Sequence, residues 1–377
     1  MTSTPVARSI NETLPEEVFG VIFEEHAKLE WRGPVIDGQV CRQWRQTILR
    51  SPCVWSHLEI GPIFTSAPPM LQQWLERSGS APVHIQAMYW SQGAEKVLDS
   101  HYERIESLSL YRFPLAFLEN RSFPILRSLT IGGWIINDLP ICWSAWRAMP
   151  ELRYFQARCI SVDGLPSNIF PPLRVLALCT VDNSECIIQK SYHSLTSLML
   201  SHISLKYTSE SLALPSLRFL SLLEVRNIKH RMNVLALTKF HESDGSEKES
   251  FSMSLPFLIE CGIYRTGGSP PLNVTKLHQC YPNISRLSVR APPSAVKLFL
   301  HSLSLQPTAL PMLRILAVGT ISDSTKYSVE DTDSMRNDAF TRNMASSVKM
   351  ELYFDGKARV PLYFSAVRVT LTEIKVN

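Results

Sequence analysis

The chain has 377 residues, 45% of them hydrophobic and 19% charged, an ordinary globular balance that excludes wholesale disorder. Its net charge of +4 is too small to imply a polyanionic partner, so no nucleic acid is expected. No run reaches the ~20 apolar residues of a membrane span, residues 1–15 hold no apolar secretion core, and none of the eight Cys forms a CxxC pair, so a cytoplasmic or nuclear setting with no membrane, metal or cofactor is expected.

Residues 1–12 read as a flexible N-terminus and 13–60 as a small helical module. Thr13-Leu14-Pro15-Glu16 predicts a helix start, with Thr13 as cap, Glu16 completing a capping box, and Pro15 tolerated in the first turn. Leu14, Val18 and Ile22 recur at i, i+4 and i+8, and Phe19, Phe23 and Ala27 form a second row. That apolar face is wider than one core contact needs. WRGPVIDG, residues 31–38, reads as a helix break. A second helix is predicted over 39–50, with Val40, Trp44 and Ile48 on one face, ended by Ser51-Pro52. Val54, Trp55, Leu58 and Ile60 come next as an apolar closing segment. So short a module has a marginal core, and a partner is expected to supply much of its burial.

LPEEVFGVIF, VCRQWR and SPCVWSHL together resemble the F-box motif, which opens on Leu-Pro, continues into an apolar helix, and later carries Val-Cys-x-x-Trp and a Pro-x-x-Trp ending. The matching positions are Leu14, Pro15, Val18, Ile22, Phe23, Val40, Cys41, Trp44, Arg45, Pro52 and Trp55. The middle, EEHAKLEWRGPVIDGQ, departs from the family in lacking its leucine-rich linker. PPMLQQWLERSGSAPVHIQ then resembles the segment after the F-box in fungal F-box proteins with leucine-rich repeats. The resemblance implies docking on the Skp-type adaptor of a cullin-based ubiquitin ligase through Leu14, Pro15, Val18, Ile22, Val40, Cys41, Trp44 and Trp55. By helix pattern alone the same segment reads as a cap packed on the rest of the chain.

Residues 61–100 read as a linker helix and strand, and 101–322 as a repeat array. The pattern L-x-x-L-x-L recurs at Ile105/Leu108/Leu110, Leu126/Leu129/Ile131, Leu152/Phe155/Ala157, Leu173/Leu176/Leu178, Leu195/Leu198/Leu200, Leu217/Leu220/Leu222, Leu258/Cys261/Ile263, Ile284/Leu287/Val289 and Leu313/Leu316/Val318. Most spacings lie in or near the 20–29 residues of leucine-rich repeats. A gap of 41 after Leu217 leaves room for a degenerate unit, Met232/Leu235/Leu237, and the polar loop HESDGSEKES. Pro stands two residues before the first apolar position in seven of nine units, which places it just outside a strand. Each strand is predicted to pair in parallel with its neighbours. A further apolar residue eight positions on (Phe113, Trp134, Ile160, Val181, Ile203, Val225, Ile321) stands where the repeat family carries Asn or Cys. The predicted fold class is therefore α/β: an F-box-like helical module, then a leucine-rich-repeat-like solenoid with a parallel sheet. Residues 323–350 read as a polar loop and 351–377 as strands that cap the open end.

Strand alternation turns Tyr154, Arg158, Phe219, Tyr264, Arg286 and Arg290 outward, and aromatic and Arg side chains dominate binding hot spots, so these six are the candidate substrate contacts. Arg127, Arg153, Arg174, Arg218 and Arg314 each follow a unit's first leucine and read as a solvated edge. No phosphate-binding loop, HExxH or GxSxG is present, and the lone His278-x-Cys280 pair reads as structural, so no catalytic residue is expected. The expected function is substrate recognition for an SCF-type ubiquitin ligase, the module docking the Skp-type adaptor and through it a cullin, the repeats holding a target protein. The alternative is a repeat scaffold that binds proteins with no ubiquitin role.

Overall fold

The computed structural model describes residues 13–61, 68–89, 91–111, 118, 121–132, 149–161, 171–182, 184–204, 212–225, 232–234, 236–244, 254–265, 272–319, 329–346 and 350–355. Residues 1–12, the capping strands expected beyond 355, and Phe113, Trp134 and Ile321 lie outside them, as does the Ile160 side chain. The chain is mixed α/β and divides into two compact units between Leu195 and Thr196.

The first unit begins with three helices, α1 (Glu16–Leu29), α2 (Gly33–Asp37) and α3 (Arg42–Arg50), and then a 3-10 turn at Pro52–Trp55. Pro15, not Thr13, is the N-cap residue of α1, and Glu16 accepts from the Thr47 hydroxyl of α3 at 3.3 Å. The expected break at 31–38 contains α2, because Pro34 sits in the first turn, where its missing N–H costs nothing. His26 on α1 bonds Asp37 at 2.8 Å and ties that short helix down. The third helix starts at Arg42, not at 39. Cys41 caps it, its Sγ accepting from the Trp44 N–H at 3.5 Å, which leaves Val40 outside the helix.

Six parallel strands come next in chain order: β1 (His57–Ile60), β2 (Val83–Ala87), β3 (Ile105–Tyr111), β4 (Ser128–Gly132), β5 (Tyr154–Ser161) and β6 (Val175–Asp182). The segment read as an apolar tail of the module thus supplies the first strand of the sheet. Helices α4 (Pro68–Arg77) and α5 (Gln92–Leu98) link the early strands, and α6 (Ser184–Ser191) comes after β6. Register places like residues side by side. Leu108, Leu129, Phe155 and Leu176 form one buried row, and Leu110, Ile131, Ala157 and Leu178 the next. Each fully buried leucine in such a row contributes about 1.5–3 kcal/mol, and only because neighbouring strands cover both its sides.

In the second unit the parallel order is β7 (Ser197–Ser201), β9 (Phe219–Leu223), β11 (Lys239–Asp244), β12 (Glu260–Arg265), β13 (Arg286–Arg290), β14 (Ile315–Gly319) and β15 (Glu351–Asp355). Two short strands, β8 (Leu212–Ala213) and β10 (Met232–Asn233), pair separately. Helices α7 (Val274–Cys280), α8 (Pro293–Leu305) and α9 (Val329–Ala345) complete the unit, so the region 323–350, expected as a polar loop, contains a 17-residue helix. The unit hidden in the gap is Leu237/Phe240/Glu242, not Met232/Leu235/Leu237, and the first four residues of the expected polar loop belong to its strand. Glu242 stands in register between Leu222 and Ile263 with only 6% exposure, a carboxylate in a leucine position, which is why the periodicity fails there.

The recurring prolines have a specific geometry. The N–H of the first apolar residue donates to the carbonyl three residues back at Leu126→Phe123, Leu152→Met149, Leu217→Leu214, Leu258→Leu255 and Leu313→Leu310, at 3.0–3.2 Å. Each Pro is therefore the second residue of a β-turn, whose φ its ring presets, and the turn delivers a leucine into the core. The Arg after that leucine lies on the sheet margin: the backbone N–H of Arg127, Arg174, Arg218 and Arg314 donates to the carbonyls of Glu106, Arg153, Thr196 and Ser285, at the start of the neighbouring strands, while the side chains stay exposed. Val181 and Ile203 are buried and Val225 half-buried, so apolar packing continues past the strands as expected.

Seven residues past the first leucine, Cys159, Thr180, His202 and Glu224 all have φ of 51–54°. This left-handed backbone costs a non-glycine residue about 1–2 kcal/mol, and it is least suited to a β-branched side chain. Thr180 is exposed, so Thr180→Gly should raise stability by about 0.5–1 kcal/mol, read as a higher denaturant midpoint. A lower midpoint would show that the Thr180 side chain contributes more than its strain costs.

Candidate functional site

Two surfaces carry the candidate docking and substrate-contact residues. The first belongs to the three-helix module. Phe19, Phe23 and Ala27 form the buried stripe of α1, and Trp44 packs on Phe19 and Phe23 with ring centroids 5.7 and 5.0 Å apart. The other row of α1 faces solvent: Val18 is 40% exposed and Ile22 47%. Val40 is 60% exposed, Pro15 is exposed, and Leu14 and Cys41 are half-buried. Trp55 does not join this surface. It is 2% exposed, donates its ring N–H to the Ile48 carbonyl at 2.9 Å, meets Trp74 edge-on at 4.9 Å, and lies under the Arg77 guanidinium at 4.6 Å. The Pro-x-x-Trp ending therefore holds the module together. Sequence reasoning missed Val21, Leu29, Val35, Ile36 and Leu49, all exposed apolar side chains of the same three helices. The signal for Val35 and Ile36 was Pro34, which starts the short helix that carries them.

These exposed branched side chains make the module a candidate surface for a protein partner. The helices are too short to bury both faces themselves.

The second surface is the outward side of the strands. In the first unit, the Tyr154 hydroxyl donates to Gln156 at 2.7 Å, and burial, with Tyr111 nearby, pushes its pKa up to about 12. Arg158 is exposed two residues on. Tyr111 lies across Gly132, where an added Cβ would stand 2.8 Å from its ring. Burial raises the Tyr111 hydroxyl pKa, and the Arg158 charge opposes that shift. Thr130 and Gln156 are buried, so outward alternation does not by itself mean solvent here.

In the second unit, Phe219 meets the His241 ring edge-on at 5.4 Å, and His241 lies against Gly262. Arg290, expected as an open contact, is buried with its guanidinium over the Tyr264 ring at 5.4 Å. Arg286 is exposed. Lys239 and Glu260 pair at 3.2 Å on the same side. The structure thus joins Tyr264 to Arg290 and brings in Gly262 of β12 together with Lys239 and His241, which the sequence reading missed because Glu242 disguised their strand.

No family model and no curated protein matches this chain. The surfaces must therefore be interpreted from their own chemistry. Among the described residues no group of three or more His, Cys, Asp or Glu could hold a metal ion, and no helix is long and apolar enough to cross a membrane. His278 has a structural partner, its Nδ1 accepting from the Leu310 N–H at 3.3 Å.

One pair of groups makes the first unit sensitive to pH. His57 and His84 are register partners on β1 and β2, with rings stacked 4.5 Å apart and 4° from parallel. Burial, aided by the charges of His84 and Lys28, pushes His57 down from 6.5 to about 3. Burial also lowers His84, opposed by Glu106 and Glu24. An unfolded imidazole takes up its proton near pH 6.5, whereas folded His57 stays neutral down to about 3. The unfolded chain then binds more protons, so stability is complete above 6.5 and is lost as pH falls from 6.5 towards 3. The thermal midpoint should drop across that window, and His57→Gln should flatten the drop; His84, His101 and His241, which burial also lowers, contribute to the slope that remains. An equally steep drop in His57→Gln would remove His57 from the account.

Proposed function

We propose that this chain is a substrate-recognition adaptor of an SCF-type ubiquitin ligase, in which the N-terminal helices dock a Skp-type adaptor, and through it a cullin, and a leucine-rich-repeat-like solenoid holds a target protein. The observation that carries the proposal is the coincidence of the F-box-like motif, from Leu14-Pro15 to Val40-Cys41 and Trp44, with a module that leaves Val18, Ile22 and Val40 in water. In this reading Phe19, Phe23, Trp44 and Trp55 build the module, and the exposed row meets the adaptor. The chain would perform no bond chemistry itself. It would raise the effective concentration of a target lysine beside the ligase machinery.

The test is co-expression with a Skp-type adaptor and then affinity purification of this chain. A stoichiometric complex is the expected result, and absence of the adaptor from the purified chain would overturn the proposal. The second reading, a repeat scaffold with the module as a cap and no ubiquitin role, is favoured by one observation: β1 continues from the module directly into the sheet and pairs with β2. Deleting residues 1–60 would uncover β2 under either reading, so surface substitutions separate the two more cleanly than truncation does.

A further inference from the structure

We infer that α9 is a displaceable strap: it opens from α8 as a separate unit while the second unit's sheet stays paired, and the buried Arg342 is the residue that loosens it. The inference concerns the second unit alone and does not depend on the adaptor reading.

A helix is held on a core by the apolar surface it buries, more than by its own propensity. Helix α8 has 13 residues and buries Val296, Phe299, Leu300 and Leu303, a stripe at i, i+3, i+4 and i+7. Helix α9 has 17 residues, yet among its described side chains only Met335, Ala339 and Arg342 are buried. At i, i+4 and i+7 these three share one face. The other large apolar side chains of α9 lie off that face: Phe340 is 65% exposed and Met344 71%. The inward stripe of α9 is therefore one methionine, one methyl group and one charge.

Arg342 is fully enclosed. Its Nη2 donates to the Leu310 carbonyl at 3.1 Å, while Nε and Nη1 have no acceptor among the described residues. In water a guanidinium bonds through all its N–H groups, so closing α9 gives up several bonds for one. Burial accordingly lowers the Arg342 pKa. That loss is reversed when α9 lifts, because water then reaches Nε and Nη1. The Leu310 carbonyl is not orphaned by the movement, since it also accepts from the Leu313 N–H at 3.0 Å.

The remaining ties are polar. Asp331 pairs with Lys297, and Asp338 accepts from the Ser304 hydroxyl at 3.4 Å and lies 3.5 Å from His301. The Asn343 side chain bonds the backbone N–H and carbonyl of Met350, both at 2.8 Å. Contacts of this kind exchange for water on opening and contribute little net. Two apolar side chains thus hold α9 closed against a charge with two stranded donors, whereas four apolar side chains hold α8. Opening uncovers the side of α8 that carries Lys297, His301 and Ser304, and the turn at Leu310.

The experiment is hydrogen–deuterium exchange of the purified full-length chain, read by mass spectrometry on peptides from α8 and α9. The α9 amides should be at least about tenfold less protected than those of α8. Low concentrations of urea should reduce α8 protection steeply and α9 protection little, because a local opening exposes little surface. Arg342→Met keeps the length of the side chain and removes its donors. It should raise α9 protection at least about tenfold, since one stranded donor shifts the opening constant by about a decade. The wild-type comparison needs no variant, so it remains decisive where Arg342→Met does not fold. Equal protection of the two helices, an equal response to urea, or α9 protection that Arg342→Met leaves unchanged or lowers would each overturn the inference.

Discussion

Val18→Asp combined with Ile22→Asp should reduce recovery of a Skp-type adaptor at least 100-fold while the chain stays folded. Each of these side chains is about half exposed, so apolar area remains for a partner to cover. Covering what remains exposed contributes about half of the 1.5–3 kcal/mol of a full burial, and an aspartate at the same position must in addition be desolvated without a partner, about 1–3 kcal/mol. The two lost contacts and the two unpaired charges together cost on the order of 4 kcal/mol, more than two decades in affinity. Stability should change little, because neither residue belongs to the buried stripe of Phe19, Phe23 and Ala27. The measurement is pull-down of co-expressed adaptor together with circular dichroism of the purified variant. Unchanged recovery from a folded variant would end the docking reading and leave the module as a cap.

Trp55→Ala should have a large effect of a different kind. The indole is buried, bonded to the Ile48 carbonyl at 2.9 Å, packed edge-on against Trp74 and covered by Arg77. Removing it leaves a cavity between α3, α4 and β1 and costs about 3–5 kcal/mol. For a unit of this size that is a fall of roughly 10 °C in the midpoint. Trp55→Phe should cost less, because the ring packing largely survives and the loss is the bond to Ile48, about 1–3 kcal/mol. A midpoint unchanged by Trp55→Ala would contradict the packing of Trp55 between Trp74 and Arg77. The two variants also separate contact from architecture: the Val18/Ile22 double variant should lose the partner at an unchanged midpoint, whereas Trp55→Ala should lower the midpoint through the interior of the module.

The contrast shows what a linear motif conveys. Leu14, Pro15, Val18, Ile22, Val40, Cys41, Trp44 and Trp55 enter it as equals, yet Cys41 caps α3, Trp44 leans on two phenylalanines, Trp55 is core, and Val18, Ile22 and Val40 meet solvent. Spacing alone could not sort them, because α1 carries two apolar rows and either could face inward. Packing decided: two phenylalanines and a small alanine give the bulk and close approach that α2 and α3 need.

In the sheet much was legible. Leucine spacing and proline placement located nine strands and their parallel order, since each Pro presets a turn and each leucine alternation sets a face. What escaped was the strand where one Glu interrupts the pattern, and with it Lys239 and His241.

The sequence by itself therefore determined the parallel α/β sheet, the inward rows and the turns, because these depend on local alternation and on the proline ring. Tertiary structure alone decided which apolar row of α1 stays exposed, that Trp55 is internal, that β1 belongs to the sheet, and that Glu242 lies in a leucine row. Those outcomes depend on which surfaces cover one another, and residues far apart in the chain settle that together.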